Sequence, residues 1–207
     1  MIEILNIDCM DYLVTLKDKV FGLAIIDPPY GIKKSWGGAG KLKGRILNKE
    51  TKKIKRWDVP PSQEYFKELF RVSRNQIIFG GNYFPLPPSR GIIAWDKCQP
   101  WLNFSQFELA WTSFNCPAKL FRHRNNGVKK IHPTQKPVEL YKWLLTKYAK
   151  KGDCILDTHL GSGSVALACY ELGFDLVGCE IDKSYYDGAM ARLEQFKQQQ
   201  LIDFGWV

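Results

Sequence analysis

Cys154-Ile155-Leu156-Asp157-Thr158-His159-Leu160-Gly161-Ser162-Gly163-Ser164 is the stretch that decides the fold. The apolar run from Cys154 to Leu156 ends on an acid and reads as a strand. Gly161-Ser162-Gly163-Ser164-Val165-Ala166 fits G-x-G-x-x-A. A helix is predicted from about Ser164 to Leu172, closed by Gly173 as a C-terminal cap. Leu176 to Ile181 is the next strand. Strand, glycine turn, helix and strand make the βαβ unit of an open α/β sheet. The glycines let the backbone turn tightly and approach a ligand, with a helix N-terminus behind them. Glu180 lies 19 residues after Gly161 and Asp182 lies 21 after it. An acid at that spacing holds a ribose through its hydroxyls. The unit therefore predicts a nucleoside cofactor, without separating NAD from S-adenosylmethionine.

The rest of the chain extends the alternation. Ile2 to Asp8 has period two and reads as a strand, followed by a short helix from Met10 to Leu16. Phe21 to Ile26 is a second strand. Ser62 caps a helix from about Gln63 to Val72. Strands follow at Gln76 to Phe79, Gly91 to Trp95 and Phe107 to Trp111. Helices are predicted at Val138 to Tyr148 and Lys183 to about Gln199. Strands alternating with helices argue for a parallel sheet covered on both faces. At 207 residues this is a single domain spanning 1–207. A basic loop of about 31–57 and a small segment of about 112–131 elaborate it.

Apolar content of 45% and aromatic content of 14% exclude a disordered chain. No apolar stretch is long enough to cross a bilayer, and Met1-Ile2-Glu3-Ile4 carries no export signal. A cytoplasmic protein is expected, its six scattered cysteines reduced. His123, His132 and His159 lack metal-ligand spacing, so no metal is expected. The net charge is +9, and ten of its basic residues fall between Gly31 and Arg56 beside one acid, Glu50. Lys119 to Lys136 is a second basic stretch without an acid. Two such runs point to a polyanion. Lys33, Lys34, Lys41, Lys43, Arg45, Arg122, Arg124, Lys129 and Lys130 are the candidate phosphate contacts. Trp36 and Trp57 read more readily as packing residues than as wedges between bases.

The second strand ends in Ile25-Ile26-Asp27-Pro28-Pro29-Tyr30. An exocyclic amine on an aromatic base is a poor nucleophile because its lone pair is delocalised. Two acceptors, one per N–H, localise that pair for in-line attack. Asp27 supplies a carboxylate oxygen and Pro28 a carbonyl, whose direction Pro29 restricts. Tyr30 offers a ring on which a flipped base stacks. Asp27, Pro28, Pro29 and Tyr30 are thus the candidate catalytic residues.

With these motifs the chain resembles the amino-group DNA methyltransferases of the DPPY type, β group, whose catalytic motif precedes the cofactor loop. The likeness extends over most of the chain. It implies S-adenosylmethionine as cofactor and N6 of adenine in DNA as the acceptor. Asp8 resembles the family's acid that contacts the adenosine moiety. His132-Pro133-Thr134-Gln135-Lys136-Pro137 resembles the stretch beside the cofactor's methionine, which implicates Thr134, Gln135 and Lys136. Asp157, Gly161, Ser162, Gly163 and Ser164 resemble the main cofactor motif, which places His159 among the cofactor residues by position, and Glu180 resembles the ribose acid. Thr158-His159 stands where the family pattern has Pro-Phe. The implied fold is the Rossmann-like methyltransferase fold with a seven-stranded mixed sheet, order 3-2-1-4-5-7-6, in a circularly permuted motif order. On that plan Asp8 ends the third strand, Asp27 the fourth, and Cys154 begins the first.

Other readings share parts of the pattern. They are an N4-cytosine DNA or RNA amino-methyltransferase, a protein-glutamine methyltransferase, a non-catalytic nucleic-acid-binding subunit of the same fold, and an NAD-dependent oxidoreductase. The last has no use for D-P-P-Y. The recognition segment between Trp111 and His132 is short, so a short recognition sequence or the help of a second subunit, as in a homodimer, is expected. The compact size suits a phage or orphan enzyme, or one half of a restriction-modification pair.

Overall fold

Every residue of the second strand, Phe21–Ile26, is buried, as befits the middle of a sheet covered on both faces. The computed structural model describes residues 1–32, 58–100, 105–124 and 131–203. Within them the strands are β1 (Ile2–Leu5), β2 (Phe21–Ile26), β3 (Ser73–Phe79), β4 (Ile92–Asp96), β5 (Phe107–Thr112), β6 (Lys119–Arg122), β7 (Cys154–Asp157) and β8 (Asp175–Cys179). The helices are α1 (Cys9–Leu13), α2 (Gln63–Val72), α3 (Val138–Tyr148), α4 (Ser164–Leu172) and α5 (Lys183–Asp203).

The sheet runs β1-β8-β7-β2-β3-β5-β4-β6. Its first seven positions are the expected permuted order. The eighth strand, β6, pairs parallel to β4 at the outer edge and corrects the expected count of seven. Lys119-Leu120-Phe121-Arg122 is too short and too basic to read as a strand by itself; pairing with Ile93 to Asp96 makes it one. Among the described residues β5 alone is antiparallel to its neighbours.

Successive side chains of β2 enter opposite layers, as period-two geometry requires. Leu23 and Ile25 pack with Leu140, Leu144 and Leu145 of α3 and with Ala166 and Ala168 of α4. Ala24 and Ile26 pack with Leu13 of α1 and with Tyr65, Phe66 and Leu69 of α2. Both caps expected by sequence are present: Ser62 accepts from the Tyr65 amide at 3.3 Å, and Gly173 closes α4 at φ 73°.

β1 stops at Leu5, short of the expected Asp8. Asn6 turns the chain, donating to the carbonyl of Glu180 at 2.7 Å. Asp8 instead caps α1, accepting from the Met10 amide at 2.8 Å. Lys33, Lys34, Trp36, Lys41, Lys43, Arg45, Trp57, Lys129 and Lys130 lie outside the described residues.

Candidate active site

β2 and β7 are adjacent and parallel, pairing Leu23 with Ile155 and Ala24 with Leu156. Asp27 and Asp157 therefore leave the sheet side by side at its carboxyl edge. In open α/β sheets that edge is where ligands bind.

Beyond Asp157 the chain makes the glycine turn. Gly161 (φ 55°) and Gly163 (φ 70°) adopt left-handed conformations that favour glycine. Glu180 braces the turn from the end of β8, one oxygen accepting from the Gly161 amide at 2.8 Å and the other from the Asp182 amide at 2.9 Å. Each oxygen retains a lone pair for a hydroxyl donor. Arg192 of α5 holds the opposite side, donating to the Ser162 carbonyl at 2.8 Å and the Ser164 hydroxyl at 2.9 Å.

His132 to Pro137 folds over this turn. The imidazole of His132 lies 3.6 Å from where a side chain at Gly161 would start and packs edge-on against Tyr185 at 4.3 Å. Thr134 shares a 3.1 Å contact with His132 Nδ1. Gln135 is buried and accepts from the Ile131 amide at 3.0 Å. The Lys136 carbonyl accepts from the Ser164 hydroxyl at 2.7 Å, so the segment is tied to the first turn of α4.

The Lys136 side chain goes elsewhere. Its ammonium is buried, 2.5 Å from Asp27 Oδ2 and 3.1 Å from Glu108 Oε2, with the Phe79 ring 4.6 Å away. The sequence placed Lys136 with the cofactor residues; the structure puts its charge on the catalytic candidate. Asp27 Oδ1 accepts from the Tyr30 hydroxyl at 2.7 Å. Burial raises the Asp27 carboxyl above the usual aspartate value, with Glu108 adding to the rise and Lys136 and Tyr30 opposing it. Burial pushes Glu108 the same way, but Lys136 and Lys97 overcome it and hold this acid at about 2.

Tyr30 does not present a bare face. Its ring stacks on Tyr83 at 5.0 Å and 21°, and Phe84 meets it edge-on at 6.2 Å. Behind it lies Gly80 at φ 66°, where a Cβ would sit 2.3 Å from Tyr30 Cε1. Gly80→Ala is expected to displace the Tyr30 ring and cost about 2 kcal/mol in strain and overpacking. Urea unfolding would measure that loss, and wild-type stability in the variant would show that the ring has room to retreat.

Burial raises Asp157 to about 8; the His159 amide, 3.0 Å from its Oδ1, opposes the rise. The Thr158-His159 departure keeps a ring where the pattern has phenylalanine. His159 is half-buried and held neutral, desolvation lowering its pKa to about 4. It packs edge-on against Tyr65 at 5.5 Å. The Thr158 hydroxyl lies 2.5 Å from the Tyr65 hydroxyl and 2.9 Å from His159 Nδ1. A small polar network thus replaces an apolar pair.

Sequence reasoning missed Glu108, Lys97, Tyr83 and Arg192. A lone acid within the apolar strand Phe107-Glu108-Leu109-Ala110-Trp111 was the available signal for Glu108. Arg122 and Arg124 are exposed at the end of β6, with Arg122 Nε 3.3 Å from Asp96. β6 runs parallel to β4, so they emerge at the same edge as Asp27. Four inter-strand steps put them roughly 20 Å away.

The model of the DNA methylase family matches residues 48–191, well over half of the chain. The chain belongs to the DNA methylase family. The matched range takes in His132 to Pro137, the glycine turn and Glu180; Asp27 to Tyr30 precede it. Among DNA methylase relatives, the type II methyltransferase M.HpaI of Haemophilus parainfluenzae is 38% identical over 72 residues, 35% of this chain and 23% of that enzyme. The type II methyltransferase M2.DpnII of Streptococcus pneumoniae is 40% identical over 63 residues, 30% of this chain and 24% of that enzyme. The matched stretches thus span about a quarter of the length of these relatives.

The fold is shared with solved structures. The M1.HpyAVI complex with S-adenosylmethionine aligns over 93% of this chain and 99% of that one, with TM-score 0.60 and 20% identity. The cytosine-N4-specific PvuII DNA methyltransferase aligns over 95% and 90%, with TM-score 0.63 and 11% identity. Among the described residues, no cluster of three or more His, Cys, Asp or Glu could hold a metal ion. No described helix is long and apolar enough to cross a membrane.

Proposed function

We propose that this DNA methylase transfers a methyl group from S-adenosylmethionine to the exocyclic N6 of adenine in DNA. The observation that carries the reading is the adjacency of Asp27 and the glycine turn at the ends of paired strands β2 and β7. The donor set suits the cofactor: Glu180 offers acceptors for ribose hydroxyls, and the two left-handed glycines open the approach. Asp157 is a buried acid suited to an ammonium group, and Asp8 stands beyond the end of β1 for the adenosine side. Thr134, Gln135, Ser162 and Ser164 line the turn, and His159 closes it from the α2 side. When bound, the cofactor supplies a sulfonium methyl group, an electrophile.

The residues of this chain then have defined tasks. Asp27 accepts one N–H of the target amine and the Pro28 carbonyl accepts the other, localising the nitrogen lone pair. The N–CH3 bond forms as the S–CH3 bond breaks, and the nitrogen afterwards sheds one proton. Tyr30 provides the stacking surface once Tyr83 yields it or closes over the other side of the base. Arg122 and Arg124 meet phosphates of the same DNA several nucleotides from the flipped one. Lys33, Lys34, Lys41, Lys43, Arg45, Lys129 and Lys130 add to that grip.

Adenine is favoured by the acid at the first position of D-P-P-Y. The test is methylation of DNA with labelled S-adenosylmethionine, followed by base-resolution sequencing. N6-methyladenine within a short site is expected. N4-methylcytosine would overturn the adenine assignment, and label in RNA or protein alone would overturn the DNA assignment.

A further inference from the structure

Each oxygen of the Asp27 carboxylate already accepts from a donor. Asp27 Oδ1 holds the Tyr30 hydroxyl and Oδ2 holds the Lys136 ammonium. A target amine needs one of these oxygens. Lys136 is buried to 3% side-chain exposure, and an ammonium left there without an anion is strongly unfavourable. It therefore needs a second partner within reach.

Glu108 is that partner. Its Oε2 lies 3.1 Å from Lys136 Nζ, yet it is buried with no aligned hydrogen bond. It is an acceptor with spare capacity aimed at the site. Its other oxygen is 2.5 Å from Lys97 Nζ, which anchors the carboxylate. Lys97 follows β4 and Glu108 opens β5, paired through Trp95 and Asp96, so two strands fix the pair.

We propose that Glu108, anchored by Lys97, is a positioning residue that steers Lys136 and takes over its ammonium when the target amine engages Asp27. The inference rests on the reading of Asp27 given under Proposed function. It explains a half-buried acid on β5 whose Oε2 is sealed from solvent, and it gives the site two states of equal charge. In the first, Lys136 bridges Asp27 and Glu108. In the second, Lys136 rests on Glu108 alone and Asp27 Oδ2 faces the amine.

The groups facing Asp27 are Lys136, Tyr30 and Glu108, with Asp157 on β7 and Tyr141 on α3 within electrostatic range. Removing the negative charge of Glu108 leaves Lys136 to Asp27 alone. The Asp27 carboxyl then titrates at lower pH. Removing Lys97 leaves Glu108 free to draw Lys136 away, and Asp27 titrates at higher pH. Opposite shifts from two partners of one ion pair distinguish steering from a packing role.

The experiment compares the full chain with Glu108→Gln and Lys97→Met. The Asp27 carboxyl is followed by carbon-13 NMR without DNA, and single-turnover methylation of duplex DNA is followed against pH. For Glu108→Gln, the Asp27 midpoint is expected to fall by about one pH unit. Its methylation rate should drop about tenfold, with S-adenosylmethionine affinity unchanged. For Lys97→Met the midpoint should rise. Should Glu108→Gln not fold, the upward shift in Lys97→Met carries the test. Wild-type midpoints in both variants, or lost rate without a shift, would overturn the proposal. Absence of methylation by the wild-type chain would instead overturn the functional reading, while the NMR titration would still decide how Asp27 is held.

Discussion

Asp27→Ala is expected to abolish methyl transfer while leaving cofactor binding intact. The variant removes an acceptor that matters most when the amine nitrogen becomes tetrahedral, so the loss falls on the rate of the chemical step. Removing one such preorganised group costs on the order of 10²–10³ in rate. Asp27 also holds the ammonium of Lys136, but Glu108 remains 3.1 Å from that group, so the variant leaves no buried charge unpaired. The fold should survive, and Asp27→Asn should behave alike because an amide keeps the shape but not the charge. Single-turnover transfer, measured beside calorimetric binding of S-adenosylmethionine, checks both halves. Full activity in Asp27→Ala would remove this carboxylate from the mechanism.

Asp157→Asn is expected to stabilise the protein, and to do so only above acidic pH. The folded protein holds this carboxyl at about 8 against an ordinary value of 3.8, with burial as the main cause. The folded state therefore binds the proton more tightly than the unfolded chain. Stability arising from that difference is complete below about pH 4 and is lost as pH rises through about 8. An asparagine escapes the loss. At pH 4 the variant and the wild type should differ little; by pH 8 the variant should be ahead by up to about 5 kcal/mol. Urea unfolding at the two pH values measures the difference. Cofactor affinity should move the other way, since the neutral amide cannot pair with an ammonium group. Equal stability at pH 8 would show that the carboxylate is already solvated or paired in the folded state.

Where local chemistry decided the structure, the sequence was readable. α3 and α4 begin and end where expected, because Gly163, Gly173 and the apolar spacing determine them without outside help. The permuted strand order came with the resemblance that the glycine turn and D-P-P-Y carry, which implies that their strands are neighbours. Elements governed by distant partners were harder to see. β6 exists because β4 offers its edge. β1 ends at Leu5 because Asn6 reaches a carbonyl more than 170 residues away. The ion pairs of Lys136 were hidden for the same reason, because its charge meets two acids that come from other strands. Tyr83 on the face of Tyr30 is likewise a tertiary contact without a sequence pattern.

The strand order also sets a timetable. Among the described residues β1 pairs with β8 alone, and β2 rests between β3 and β7. On the ribosome, β1 and one side of β2 therefore wait for Cys154 to Cys179 before they acquire neighbours. Until Cys154 to Cys179 emerge, the catalytic acid has a strand beneath it but no cofactor turn beside it. A nascent chain that stops before Cys154 would thus carry Asp27 without the glycine turn that the proposed reaction needs.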